Sequence, residues 1–175
     1  MTPAGTDDLL ALDEAELLRH CRVEFYKSGG PGGQKRNKTS SAARVVHLES
    51  GLEGHSADFR SQAENRARAL HRLRFRLAAE RRTPVQLFAY QPPAWVRPYT
   101  VGGQLHLNVK NPDFARLAAV ALDLLAAADG NVPRVAALFG VSTSSLVKWL
   151  RQEHQIWDAA CRLRRAVGLP ADPFG

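Results

Sequence analysis

The sequence is poor in cysteine, and this scarcity excludes the disulfide-rich secreted scaffolds. It has two cysteines among 175 residues, Cys21 and Cys161, which allow one disulfide at most. Neither has a second cysteine or a histidine at metal-ligand spacing. We therefore expect two reduced thiols in a cytoplasmic protein, no structural zinc and no cofactor.

Long apolar runs are also missing. No stretch approaches the roughly 20 apolar residues of a membrane-spanning helix, and the first residues are acidic where a signal peptide would be basic. We therefore expect no membrane partner. The 45% of hydrophobic residues still provides for a core, so we expect a globular protein of one domain or two small ones.

Acidic residues are outnumbered as well, with 17 Asp and Glu against 24 Lys and Arg, for a net charge of +7. The excess is uneven. Residues 20–83 carry 14 basic and 6 acidic residues, whereas residues 84–175 carry 9 and 6. A basic balance of this size predicts an anionic partner, above all nucleic acid, bound mainly by the first half of the chain.

A glycine-rich segment lies inside that basic half. It reads Ser28-Gly29-Gly30-Pro31-Gly32-Gly33-Gln34 and is followed by Lys35, Arg36 and Lys38. Glycine adds nothing to a core and costs roughly 0.5–1 kcal/mol relative to alanine in regular structure. We interpret the segment as a loop that presents bare backbone N–H groups beside Gln34 to an anionic partner.

The surrounding patterns predict an α+β domain over residues 1–100. They indicate a short helix at 12–20, strands at 22–26, 41–48 and 52–57, a long helix at 60–82 capped by Ser61, and a further strand at 85–90. Gly54 is expected to weaken the second arm of the hairpin. The apolar face of the long helix is predicted to comprise Ala63, Ala67, Leu70, Leu73 and Leu77. The predicted fold is a small mixed sheet with one long helix and a protruding glycine-rich loop.

Residues 101–175 are predicted to form a small all-α unit. Asn111-Pro112 is typical of a helix start, and the nearly continuous apolar run at 117–127 predicts a buried helix. The spacing around Gly140 favours a helix-turn-helix over residues 131–151, followed by a last helix at about 155–167. The second helix of the helix-turn-helix begins with Thr143-Ser144-Ser145. A helix that reads duplex DNA usually presents several basic or amide side chains at this end. We therefore favour a structural or RNA- or protein-docking bundle over sequence-specific DNA binding.

The glycine-rich segment is one part of a longer string in a single register. The string continues with Asn37-Lys38-Thr39-Ser40-Ser41-Ala42, Arg44, His47, Arg60-Ser61-Gln62, Asn65-Arg66-Ala67-Arg68-Ala69-Leu70 and Leu73-Arg74. From Lys27 to about Leu77 it resembles the catalytic domain of class I peptide chain release factors and of ribosome-rescue peptidyl-tRNA hydrolases. The extended string is much more specific than a Gly-Gly-Gln tripeptide alone.

The resemblance implies an enzyme whose catalytic residues are Gly32, Gly33 and Gln34. In this family the loop enters the peptidyl-transferase centre of the large ribosomal subunit, where water attacks the ester of the P-site peptidyl-tRNA. The backbone N–H of Gln34 would donate to the developing oxyanion or leaving oxygen, and its side chain would help to place the water. The implied partners are that rRNA and tRNA, with a glutamine methyltransferase acting on Gln34 as a further candidate.

The same resemblance assigns the basic residues around the loop to ribosomal RNA. The expected RNA-binding residues are Lys27, Lys35, Arg36, Asn37, Lys38, Arg44 and Arg66. For Lys27 and Arg44 ordinary surface charge is an equally good interpretation. The arginines of the long helix lie largely off its apolar face, where a solvated face and a phosphate-contacting face are about equally expected.

A second tripeptide, Gly102-Gly103-Gln104, provides an internal comparison. No lysine or arginine lies within four residues of it on either side. We interpret it as a turn between short extended segments and reject it as a site.

Some features depart from the family pattern. Lys35 and Arg36 follow the glutamine where neutral residues are usual, and Phe59 stands where an acidic residue commonly precedes Arg60. No segment resembles the stop-codon-reading domain, and residues 168–175 lack the basic tract of the small rescue hydrolases. We therefore expect codon-independent release, with the stalled ribosome recognised by the helical unit or by something outside this chain.

Two other functions stay open at this point. One is a non-catalytic ribosome- or rRNA-binding protein that keeps the loop as an anchor. The other, less favoured, is a DNA-binding regulator that acts through residues 131–151.

Overall fold

A computed structural model describes residues 5–27 and 40–173 of the chain. The mixed α+β class predicted from the sequence is confirmed. The chain separates into two compact units, Leu12–Leu77 and a second unit made of Met1–Ala11 and Ala78–Gly175. This division differs from the predicted one at residue 100. One reason is that residues after 77 bond to the helices of the second unit, as where the Thr83 N–H donates to Asp123 across 3.0 Å.

The unit Leu12–Leu77 is built on an antiparallel three-stranded sheet. A short helix α2, Glu14–Arg19, precedes strand β1, Cys21–Tyr26, and strands β2, Ala42–His47, and β3, Glu53–Ser56, follow. The strand order is β1-β2-β3, and β2 pairs with both neighbours. Asp13 caps α2 through a reciprocal capping box with Glu16. Within the described residues both strand pairs of this sheet are antiparallel.

Helix α3, Gln62–Glu80, packs closely against strand β3 at Gly54. Its buried residues include Asn65, Ala69, Leu70, Leu73 and Leu77. The predicted contribution of Ala63 and Ala67 to the apolar face is wrong, because both are exposed. The buried face of the helix begins at the polar residue Asn65. Ala63 and Ala67 are two positions away from Asn65 in sequence and therefore point to other sides of the helix.

The second unit begins with helix α1, Thr6–Ala11, and resumes after α3 with two short 3₁₀ helices, Leu87–Ala89 and Ala94–Tyr99. The strand predicted at 85–90 is wrong. The N–H groups of Ala89 and Tyr90 donate back to the carbonyls of Gln86 and Leu87, which closes a 3₁₀ turn there.

A two-stranded hairpin follows, formed by β4, Thr100–Val101, and β5, Gln104–Leu105. Its two-residue turn is Gly102-Gly103, and both glycines have positive φ, 59° and 72°. This is the left-handed geometry that such hairpin turns require and that glycine adopts without strain. The prediction that the second Gly-Gly-Gln is a turn between extended segments is confirmed.

Four helices complete the second unit: α4, Asp113–Ala127, α5, Val132–Phe139, α6, Thr143–Leu150, and α7, His154–Ala166. The Asn111 side chain accepts from the Asp113 N–H at the start of α4. Helix α4 is buried along most of its length, as predicted, and Phe114 lies against Trp149 with ring centroids 4.7 Å apart. Helices α5 and α6 form the predicted helix-turn-helix, with Gly140 left-handed at φ 67° between them.

Candidate functional site

The predicted catalytic residues Gly32, Gly33 and Gln34 lie outside the described residues, as do Lys35, Arg36, Asn37 and Lys38. The structure does describe the two points at which their segment joins the domain. Tyr26 at the end of β1 is the ladder partner of Ala42 at the start of β2. Both ends of the segment therefore meet at the same end of one hairpin, and the exposed Lys27 follows directly after β1.

The second junction is also held by the first turn of α3. The Gln62 side-chain Nε2 donates to the Ser40 carbonyl, and the Asn65 Nδ2 donates to the Ser41 carbonyl, each across 2.7 Å. Two successive carbonyls that lead into β2 thus accept hydrogen bonds from two amide side chains of one helix. Gln62 itself is exposed, whereas Asn65 is completely buried.

Asn65 uses its full hydrogen-bonding capacity. Its Oδ1 accepts from the Ser56 hydroxyl and the Phe59 N–H, both at 3.0 Å. Its Nδ2 donates to the carbonyls of Ser41 and Phe59, at 2.7 and 2.8 Å. A buried amide is stable only when it is satisfied in this way. One side chain therefore ties together the chain at Ser41, the end of β3 and the turn that precedes α3.

Sequence analysis did not assign Gln62 or Asn65 to the site. A signal for Asn65 was present, because Asn65, Ala69, Leu73 and Leu77 recur every four residues and so share one face of the helix. A polar residue in line with three buried ones indicates an interior hydrogen-bond hub. No comparable pattern marks Gln62, whose role depends on where the chain at Ser40 lies.

Arg44, predicted to contact RNA, lies on the sheet among acidic neighbours. Its guanidinium is 3.9 Å from the Glu24 carboxylate and 3.5 Å from that of Glu53, and it lies 5.6 Å from the centroid of the Tyr26 ring. The two neighbouring carboxylates offset the positive charge of Arg44 and so weaken its attraction to a phosphate. Contact of Arg44 with RNA stays a prediction and would require it to exchange these partners.

The arginines of α3 divide into paired and unpaired ones. Arg72 is 2.8 Å from Asp58 and also donates to the His55 carbonyl, and Arg68 is 3.8 Å from the same carboxylate. The negative charge of Asp58 is therefore shared between Arg68 and Arg72. In the part of the chain that the structure describes, Arg66 and Arg76 are exposed and form no ion pair.

Cys21 is the first residue of β1 in this sheet, and its thiol is partly buried. Burial raises the pKa of its thiol to about 11, and the nearby Arg74 opposes this only in part. The thiol is therefore protonated near neutral pH, whereas a reactive cysteine needs a lowered pKa.

In the second unit, the second helix of the helix-turn-helix is covered along one side. The Ser145 hydroxyl accepts from the Leu105 N–H at 2.9 Å, and the Trp149 Nε1 donates to the Leu107 carbonyl at 3.0 Å. The Ser142 N–H donates to the Gly103 carbonyl at 2.8 Å. Five of the eight residues of α6 are buried. A duplex-reading helix presents several side chains to the groove, so the few that α6 leaves exposed disfavour the regulator hypothesis.

Comparison with known proteins finds a family match over part of the chain. Residues 13–87 match the family model described as the RF-1 domain. This segment is homologous to a part of peptide chain release factors 1 and 2. The predicted resemblance is therefore confirmed for residues 13–87, which include the glycine-rich sequence.

Individual relatives give the same result. Peptide chain release factor 1 of Verminephrobacter eiseniae is 46% identical over 74 residues, which are 42% of this chain and 20% of that protein. Peptide chain release factor 2 of Streptomyces avermitilis is 42% identical over 81 residues, covering 46% of this chain and 21% of that protein. Peptide chain release factor 2 of Treponema pallidum is 51% identical over 65 residues, covering 37% and 18%.

The matched segment spans about a fifth of the length of these curated relatives. No solved structure matches the chain. Among the described residues, no helix has the length and apolar character that crossing a membrane requires.

Proposed function

We propose that this protein hydrolyses the peptidyl-tRNA ester on the ribosome without reading a codon, in translation termination or ribosome rescue. The catalytic group is the backbone N–H of Gln34, presented by Gly32 and Gly33 in the peptidyl-transferase centre of the large subunit. The observation that carries the proposal is the position of the Gly-Gly-Gln segment. It lies inside the segment homologous to release factors, between two junctions that the sheet and α3 hold.

The proposed chemistry is electrostatic. A backbone N–H aimed at the oxyanion or leaving oxygen is worth about 3–4 kcal/mol when it is in place before the reaction. A side-chain amide is no base at neutral pH, so the proton of the attacking water passes to solvent or to the ribose hydroxyl of the tRNA. Gly32 and Gly33 are needed because a Cβ would hinder the approach of the backbone.

RNA phosphates are the proposed partners of the basic residues around the loop. Lys35, Arg36 and Lys38, with Asn37 between them, adjoin Gln34 in sequence, and Lys27 and Arg66 are exposed in the same unit. Arg44 belongs to this set only if it leaves Glu24 and Glu53. Methylation of Gln34 by a glutamine methyltransferase is part of the proposal and is testable by mass spectrometry of the protein from its native cell.

The decisive experiment measures peptide release from ribosomal complexes, with and without mRNA in the A site. Wild type is expected to release peptide on both, at a rate that does not depend on a stop codon. Gly33→Ala should slow release by at least a hundredfold, because its Cβ would hinder the approach of the Gln34 N–H. Gln34→Ala keeps that N–H and should slow release through loss of the side chain that places the water. Gln104→Ala is the matched control, since it changes the other Gly-Gly-Gln at an exposed turn.

Three outcomes would count against the proposal. Equal release by wild type and Gly33→Ala would contradict the proposed role of the Gln34 N–H, and equal release by wild type and Gln34→Ala would contradict the role of its side chain. Salt-sensitive ribosome binding without ester cleavage would favour the non-catalytic rRNA-binding protein instead.

A further inference from the structure

We infer that Gln62 and Asn65 are positioning residues for the catalytic segment, acting as a two-point clamp on the carbonyls of Ser40 and Ser41. We call these four residues the stem clamp. The inference rests on the proposed function, because it concerns how the same segment is held for reaction. Neither side chain is proposed to touch substrate.

The geometry of the clamp comes from one turn of helix. Gln62 and Asn65 are three residues apart in α3 and therefore project from neighbouring positions of one face. Each donates across 2.7 Å to one of two consecutive carbonyls. Two such bonds restrain both the position and the direction of the chain where it leaves the segment and enters β2.

The clamp is rigid at its inner point. The Asn65 Oδ1 is fixed by the Ser56 hydroxyl and the Phe59 N–H, so the amide cannot turn without losing bonds on both sides. Ser56 belongs to β3 and is completely buried. The Asn65 amide, with all its hydrogen bonds made, thus fixes the position of the Ser41 carbonyl relative to β3 and α3.

The opposite junction, at Tyr26, is tied to the clamped one by the Tyr26–Ala42 ladder pair. The segment between the junctions consequently begins and ends on a rigid frame. Placement matters for this chemistry, because misplacing reacting groups by about 1 Å can cost about 100-fold in rate. Loss of a stem bond should therefore lower the maximal rate of release more than the affinity for the ribosome.

Gln62 provides a clean test, because it is exposed and its substitution leaves the buried core intact. Gln62→Glu keeps the shape but replaces the donor with an oxygen facing the Ser40 carbonyl, and Gln62→Met removes the bond without adding charge. Ala63→Glu adds the same charge at the neighbouring exposed position without contacting the stem, and so serves as the matched control. All three proteins should unfold at temperatures close to that of wild type.

Peptide release is measured at increasing protein concentration to separate the maximal rate from the half-saturating concentration. Both Gln62 variants should lose about tenfold in maximal rate, with the half-saturating concentration within about twofold of wild type. Ala63→Glu should match wild type in both. Amide hydrogen exchange of residues 40–42 in the free protein, followed by NMR, should be faster in both Gln62 variants and unchanged in Ala63→Glu.

The outcomes separate the clamp from the proposed function. An unchanged maximal rate in the Gln62 variants overturns the clamp, and so does a change confined to the half-saturating concentration, which would make Gln62 a ribosome contact. Wild-type protein without release activity overturns the proposed function. In that case hydrogen exchange alone decides whether the stem is clamped, and unchanged exchange overturns the clamp as well.

Discussion

The backbone of Gly54 lies directly against the backbone of Ala69. A Cβ built on Gly54 would be 2.1 Å from the Ala69 carbonyl oxygen and 2.5 Å from the Leu73 nitrogen. Both contacts are to backbone atoms of α3, which have no rotamer through which to move aside. Gly54 is therefore required for the close approach of β3 to α3, and the expectation that it merely weakens the hairpin missed this role.

Gly54→Ala should destabilise the unit Leu12–Leu77 by about 3 kcal/mol or more, since β3 must separate from α3 to admit the methyl group. Chemical denaturation monitored by circular dichroism measures the free energy of unfolding. His55→Ala changes the neighbouring, exposed position of the same strand and should remain within about 0.5 kcal/mol of wild type. Equal stability of Gly54→Ala and His55→Ala would show that the strand moves away from the helix at little cost.

Asn65→Asp should be destabilising by about 3 kcal/mol near neutral pH. The substitution is isosteric, but a carboxylate would face the carbonyls of Ser41 and Phe59 where the amide donates. The cost follows from a buried charge against two unpaired acceptors. Protonation of the new carboxyl restores one donor, so the deficit should shrink as the pH is lowered.

Asn131→Asp is the matched control for that change. Asn131 caps α5 by accepting from the Arg134 N–H at 3.0 Å, and a carboxylate accepts the same bond at an exposed helix start. Its free energy of unfolding should stay within about 0.5 kcal/mol of wild type. If both variants unfold alike, the Asn65 network contributes nothing beyond an ordinary surface bond.

Arg66 and Arg72 should differ in what they contribute, although both are arginines of α3. Arg66→Gln should weaken ribosome binding and reduce the slope of log affinity against log salt by about 0.7–0.9, because one phosphate contact is lost. Arg72→Gln should leave that slope unchanged and lower the melting temperature slightly, since Arg72 is held by Asp58 and the His55 carbonyl. Filter binding over a salt series measures the slope, and equal slopes for the two variants would contradict the distinction.

Local patterns predicted the fold well where neighbours in sequence decide it. The helix start at Asn111-Pro112, the turn at Gly140 and the hairpin at Gly102-Gly103 each depend on a short-range hydrogen bond or a left-handed glycine. The pattern of residues 85–90 was misleading, because strands need a partner and these residues close a 3₁₀ turn instead.

The site was predictable only in part for a related reason. The glycines and cations mark the catalytic segment in the sequence itself. The stem clamp depends on contacts between residues more than twenty positions apart, such as Gln62 with Ser40. Close approach of backbones, as at Gly54, likewise leaves no periodic signal.

The buried carboxyl of Asp123 should make stability depend on pH. It lies 3.2 Å from the Arg82 guanidinium and accepts from the Thr83 N–H at 3.0 Å. Burial nevertheless raises its pKa to about 6, from 3.8 for an unperturbed aspartate, while both partners oppose the rise. The folded state therefore binds a proton more readily than the unfolded chain between about pH 4 and pH 6.

It follows that the stabilising effect of protonation is fully present below about pH 4 and is lost as the pH rises through 6. Asp123→Asn removes the titration. The free energy of unfolding of wild type relative to Asp123→Asn should thus fall by about 2 kcal/mol between pH 4 and pH 7, measured by urea denaturation at each pH. A difference that is flat, or that increases with pH, would mean that attraction to Arg82 outweighs the burial of Asp123.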